Sequence, residues 1–137
     1  MAEASVKWTG EHTFIGTDSG NHSVVIGRAE KDMIGMKPSE LLLVALAACS
    51  SWDVVNIIGK RKIELTKLEV HARAEQQEEP PWTFRKIHLT YIMAGDGLQR
   101  KDAEKAIELS EGKYCAVAAT VKAEAEITWE CVIEGEV

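Results

Sequence analysis

Hydrophobic and polar residues alternate along this chain with two distinct periods, and one stretch follows neither. From Leu41 to Cys49 every residue is apolar. The run lies inside a longer segment, Pro38 to Lys62, that reads as one helix. Pro38 suits a first helical position, because its missing N–H has no partner there in any case. Glu40 places a negative charge in the first turn, where the helix dipole favours it. Gly59 and the cations Lys60, Arg61 and Lys62 form a C-terminal stop. The first half has no polar face and is expected to be buried all round. In the second half Ser50, Asp53 and Lys60 can share one face, and Trp52, Val55 and Ile58 another.

Elsewhere the period is two. Ala4, Val6 and Trp8 alternate with polar neighbours, with Gly10 as a bulge and Phe14 and Ile15 as a continuation. Thr17 to Asn21 reads as a turn, and Val24, Val25 and Ile26 as a short strand ending at Gly27. Arg28 to Lys37 reads as a loop or a further short strand. After the helix, Leu68, Val70, Ala72 and Ala74 mark a half-buried strand. A polar turn over Gln77 to Pro81 leads to a second, with Ile87, Leu89, Tyr91 and Met93 on one face. Leu98 to Glu111 is helical, with Ala103, Ala106, Ile107 and Ser110 on one stripe and Gly112 as the stop. The last strand is predicted from Val121 through Ala123, Ala125, Ile127, Trp129 and Cys131 to Ile133. Strands, a long helix, strands, a helix and a strand make an α+β fold with mostly antiparallel pairing.

At 137 residues the chain has the size of one domain, 1–137, and can bury a core without disulfides. It has little left to cover the far side of an all-apolar helix, so a second copy is the simplest cover. The net charge of −6 and the lack of a basic stripe argue against nucleic acid as a partner. The N-terminal segment has no signal-like apolar core, and the longest unbroken apolar run is too short to cross a bilayer. A cytoplasmic protein with no membrane partner is expected. Three widely spaced cysteines do not form a secreted disulfide framework.

Those cysteines differ. Cys131 sits in the core-facing alternation of the last strand, where a thiol packs as a small hydrophobe. Cys49 lies among Ala47, Ala48, Ser50 and Ser51, which leave room for a substrate or, equally, allow close helix packing. Cys115 follows Gly112 and Lys113. A helical turn starting there would put the thiol at a helix N-terminus beside a cation and lower its pKa; the alternative is a loop cysteine tucked under the sheet. No CxxC pair or His/Cys cluster at ligand spacing occurs, so no metal and no cofactor is expected. His12, His22, His71 and His88 are scattered, and no GxSxG elbow is present.

The segment GMKPSELLLVALAACSSWDVV, with the second cysteine in KYCAVAATV, resembles the OsmC/Ohr family: osmotically inducible protein C and organic hydroperoxide resistance protein. The resemblance implies antiparallel sheets around a long central helix in an intertwined homodimer. It also implies a peroxidase: Cys49 attacks an organic hydroperoxide, Cys115 resolves the sulfenic acid as a disulfide, and a small dithiol reduces it. Family peroxidases carry an arginine in the N-terminal strand region, and here none precedes Arg28. They carry a glutamate directly after the motif's proline; here that position is Ser39, and the acid follows at Glu40. One residue rotates a helical side chain by about 100°. The sequence is therefore closest in pattern to the less characterised OsmC-like branch. Cys49 is mid-helix, so a cation or donor from elsewhere must activate it; Arg28 is the candidate cation and Glu40 the candidate acid. The alternative is a non-enzymatic redox sensor, or a binder of a small apolar ligand, that keeps the cysteine pair.

Overall fold

The computed structural model describes residues 1–28 and 34–136. The chain divides into two compact units, Met1–Leu43 and Val44–Val137.

In the first unit three strands form an antiparallel meander: β1 (Ala4–Gly10), β2 (Thr13–Asp18) and β3 (Ser23–Ile26). Phe14 and Ile15 do not continue β1. They belong to a separate strand that folds back, pairing Trp8 with Phe14 and Gly10 with Thr13. The register shift between Trp8 and Gly10 is the expected bulge. Glu11, at a φ of 49°, makes the turn, and the Trp8 indole N–H caps the Glu11 carbonyl at 2.8 Å. The second turn is closed by Asp18, whose Oδ1 accepts from the amides of Gly20 and His22 at 2.8 and 2.9 Å. Part of the Arg28–Lys37 stretch lies outside the described residues. At its end Met36 bridges back to Ile26 in parallel, with Gly27 N–H to Met36 O at 3.0 Å. A Cβ on Gly27 would meet the Ile34 carbonyl oxygen at 2.4 Å, so this approach requires glycine.

The helix α1 (Pro38–Lys60) starts in the first unit and runs on into the second, ending two residues before the predicted Lys62. The second unit continues with β4 (Glu64–Gln76), β5 (Phe84–Asp96), α2 (Arg100–Leu109), a π-helical turn (Ser110–Tyr114), α3 (Ala116–Val121) and β6 (Glu126–Ile133). β5 lies in the middle, antiparallel to β4 and parallel to β6. A parallel neighbour needs a long crossover, and α2, the π turn and α3 supply it. The expected faces of β4 and β5 hold: Ile87, Leu89, Tyr91 and Met93 are buried, as are Ala103, Ala106 and Ile107 of α2.

Two expectations fail locally. The helical path does not stop at Gly112 but passes through it in the π turn. Val121 to Ala125 is not strand: Lys122 N–H bonds to Ala118 O at 2.9 Å, and the amides of Glu124 and Ala125 bond to Val121 O at 3.1 Å each. Alanine favours helix over strand, and the alternation there is the end of α3 and its turn.

The faces of α1 also differ from expectation. Leu46, Ser50, Val54 and Ile58 point inward and are buried. Val44 is 47% exposed and Leu42 39%, so the apolar half is not buried all round by its own chain, and in the second half Trp52 is 73% exposed and Val55 50%. By length and composition α1 would suffice to cross a membrane, although its unbroken apolar run is short. Its inward face is packed, as in a core helix.

Candidate functional site

Ser50 faces the core because its hydroxyl has partners there. It meets the Tyr91 hydroxyl from the middle of β5, and Ser110 Oγ at 3.1 Å from the junction of α2 and the π turn. All three residues are fully buried. Ser110 Oγ also donates to Asp53 Oδ2 at 2.8 Å. Its single proton serves the carboxylate, the stronger acceptor. Buried hydroxyls without partners cost about 1–3 kcal/mol each, so this network fixes both the inward face of α1 and the position of Asp53.

The cysteines lie beside this network. Asp53 is one helical turn after Cys49, and the π turn carries the chain from Ser110 to Cys115. One ligand atom each from Cys49, Asp53 and Cys115 lie within 4.8 Å of one another. Cys49 is half-buried and Cys115 is 2% exposed. Cys115 is the residue preceding α3, and its sulfur accepts from Ala118 N–H at 3.3 Å. The expected lowering of its pKa does not follow. Burial, then the neighbouring Cys49 thiol, push it up to about 12, which outweighs the Ala118 bond. Lys113 does not offset this: its ammonium lies 5.3 Å from the centre of the Tyr114 ring.

Burial also raises the Tyr91 phenol, which keeps its proton, and the Glu111 carboxyl, which Lys122 partly draws back. Glu111 Oε1 is buried without a hydrogen-bond partner among the described residues. Cys131, on β6, is 8% exposed, and Arg100 Nη1 lies 3.4 Å from its sulfur. Glu40 is exposed in the first turn of α1 and is not part of the Cys49–Asp53–Cys115 cluster; Arg28 is exposed after β3. Both belong to the first unit. Asp53 and Ser110 had a sequence signal, as i, i+4 to Cys49 and as one stripe of α2. Tyr91 and Glu111 had none beyond their periodicity.

The OsmC-like protein family model matches residues 29–130. The chain belongs to the OsmC-like family. Protein YhfA of Escherichia coli K12 is 33% identical over 126 residues, spanning 92% of this chain and 93% of its own. The crystal structure of a hypothetical protein from Aquifex aeolicus VF5 matches with a TM-score of 0.83 and 29% identity, over 98% of both chains. The organic hydroperoxide resistance protein OhrB of Bacillus subtilis matches with a TM-score of 0.66 and 15% identity, over 96% of this chain and 98% of its own. That last likeness is one of fold. The two small sheets and long helix are thus the α+β architecture of OsmC-like proteins.

Proposed function

We propose that the protein is a thiol peroxidase for organic hydroperoxides. The observation that carries this reading is the approach of the Cys49 and Cys115 sulfurs to within 4.8 Å, from positions 66 residues apart in the chain (115 minus 49). In the first step the Cys49 thiolate takes the terminal peroxide oxygen and the alcohol leaves with a proton. The Cys115 sulfur then attacks the sulfenic acid, and water leaves as the disulfide forms. A small dithiol returns both thiols by exchange and is itself oxidised to a disulfide. The half-buried Cys49 is the more accessible sulfur and so takes the attacking role. A second copy covers Val44, Trp52 and Val55, since an obligate interface is large and apolar. A cytosolic setting keeps the thiols reduced between turnovers. OhrB of Bacillus subtilis, which shares this fold, is an organic hydroperoxide resistance protein.

The test is steady consumption of an alkyl hydroperoxide with a dithiol reductant. Wild-type protein is expected to turn over continuously and Cys49→Ser not at all. Turnover in Cys49→Ser, or none in the wild type, overturns the reading. A second reading, a redox sensor that oxidises once and turns over poorly, is favoured by the burial of Cys115, 2% exposed, which limits the access of a reductant to its disulfide. Disulfide formation without sustained consumption selects it.

A further inference from the structure

The peroxidase chemistry gives Asp53 no task. Its carboxylate lies beside two thiols, and among the described residues it forms no ion pair with lysine, arginine or histidine. Lys60 and Arg61 line the same cleft as Asp53, and Arg61 is held by Asp102 at 2.8 Å. Three groups that can each carry a negative charge therefore meet, and among the described residues none of them forms an ion pair with a lysine or arginine. We propose that Cys49 Sγ, Cys115 Sγ and a carboxylate oxygen of Asp53 form a binding site for a thiophilic divalent metal ion of the zinc class.

The geometry is close to what such an ion needs. Zinc–sulfur bonds of about 2.3 Å and zinc–oxygen bonds of about 2.0–2.2 Å put tetrahedral ligand atoms about 3.5–3.8 Å apart. Since the three atoms already lie within 4.8 Å of one another, each pair has to close by no more than about 1.3 Å. The carboxylate is held from behind. Ser110, fully buried, donates to Oδ2 at 2.8 Å, which fixes the carboxylate plane and leaves the other oxygen for an ion. Metal-ligating side chains characteristically have such outer support. The Cys115 sulfur has its own, the Ala118 N–H at 3.3 Å, a donor suited to a thiolate. Two sulfurs and one carboxylate oxygen favour zinc over magnesium or calcium, which prefer all-oxygen sites. Three protein ligands leave a fourth position, on the side of the half-buried Cys49, for water or an exogenous ligand.

Binding requires no oxidant. One divalent ion replaces the two thiol protons, which pass to solvent, and the carboxylate joins as it stands, leaving a complex of charge −1. The same sulfurs cannot be bound to the ion as thiolates and to each other as a disulfide. The ion therefore competes with disulfide formation and protects the reduced pair. The site does not depend on the peroxidase reading.

The test uses the reduced, full-length protein without oxygen or peroxide, and Co2+ as probe. One equivalent of Co2+ is expected to produce a near-ultraviolet thiolate-to-cobalt charge-transfer band with visible bands of tetrahedral intensity, and Zn2+ to bleach both. Cys49→Ser and Cys115→Ser should abolish the charge-transfer band or leave a weaker, single-thiolate one. Asp53→Asn and Ser110→Ala should each weaken Co2+ binding by about tenfold or more, and Cys131→Ala should leave it unchanged. Should a cysteine variant fail to fold, the wild type still decides. One equivalent of Zn2+ should slow alkylation of Cys49 and Cys115, read peptide by peptide by mass spectrometry, while Cys131 keeps its rate. No charge-transfer band at one equivalent, an undiminished band without either cysteine, or no selective protection of the pair overturns the site. Because no peroxide is present, a negative result leaves the peroxidase reading standing, and absent peroxidase turnover leaves the metal site standing.

Discussion

Cys115 and Cys131 are both buried, and burial pushes both thiols up. Locally, Cys131 looks the more activated of the two. Arg100 donates to its sulfur at 3.4 Å and to its carbonyl at 3.2 Å, and a guanidinium draws a thiol's pKa back down. Cys115 has the opposite surroundings: a second thiol and a carboxylate within 4.8 Å. Yet Cys115 is where two-thiol chemistry can occur, while Cys131 belongs to no such cluster among the described residues. Activation by a neighbouring charge changes a rate. A second sulfur decides which product can form at all, and the crossover from α2 through the π turn brings that sulfur to α1.

The contrast breaks most visibly under oxidation. With one equivalent of alkyl hydroperoxide and no reductant, wild-type protein should lose two thiols and yield a Cys49–Cys115 peptide on digestion. Cys131→Ala should behave identically. Cys115→Ser should gain one oxygen at Cys49, trappable by a sulfenic-acid reagent, and overoxidise with excess peroxide. A disulfide that includes Cys131 would reverse the assignment of the two residues.

Second in size is the effect on stability. Ser110→Ala deletes the hydroxyl that serves Asp53 and lies 3.1 Å from Ser50. Leaving such groups short of a partner costs about 1–3 kcal/mol. Cys131→Ala removes one buried sulfur whose neighbours include an exposed arginine, at about 1 kcal/mol by the area it buries. Urea denaturation should rank Ser110→Ala below Cys131→Ala, with unchanged slopes. The reverse order would mean that the hydroxyl network adds little to the Cys115 region.

Trp52→Glu sharpens the comparison from outside. It puts a charge at an exposed position of α1, and should shift light scattering from dimer to monomer at micromolar concentration while far-UV circular dichroism persists. A wild-type protein that is already a stable monomer would remove the second copy from the proposal.

How much of this was legible in the sequence follows from the range of each interaction. The alternation of β4 and β5 is local and was read correctly. Val121 to Ala125 has the same alternation but is built on alanine, and the α3 hydrogen bonds captured it. The inward turn of Ser50 was not legible, because the hydroxyl that satisfies it is on Tyr91, 41 residues away. The pattern grouped Ser50 with Asp53 and Lys60, and Ile58 with Trp52 and Val55, whereas packing buries Ser50 and Ile58 and leaves Trp52 and Val55 exposed. In the cluster, Cys49 and Asp53 share a helical face at a spacing of four, which local pattern can show. The approach of Cys115 rests on the crossover, and only the family resemblance anticipated it. Nothing local distinguished Glu111, or placed Arg100 on Cys131.

That last contact gives the smallest effect and the finest separation of causes. Arg100 lies at the start of α2, exposed, and is shared among Glu136 at 2.9 Å, Glu104 at 3.5 Å and the Cys131 sulfur. If its charge stabilises the Cys131 thiolate, Arg100→Gln lowers the thiolate fraction at a given pH and slows alkylation of Cys131 by about 1.5- to 5-fold, the range for exposed charge pairs. The shorter side chain also uncovers the sulfur, which would speed the same reaction. The two effects separate in the pH–rate profile. A lost charge moves the profile to higher pH at a fixed plateau, and a lost cover raises the plateau at a fixed midpoint. The geometry predicts the first. Cys115, in the same sample, should show neither, since its pKa is set by burial and Cys49 rather than by Arg100. A rise in plateau alone would make Arg100 a lid over a packing thiol, and Cys131 would then differ from Cys115 in having neither a partner nor activation.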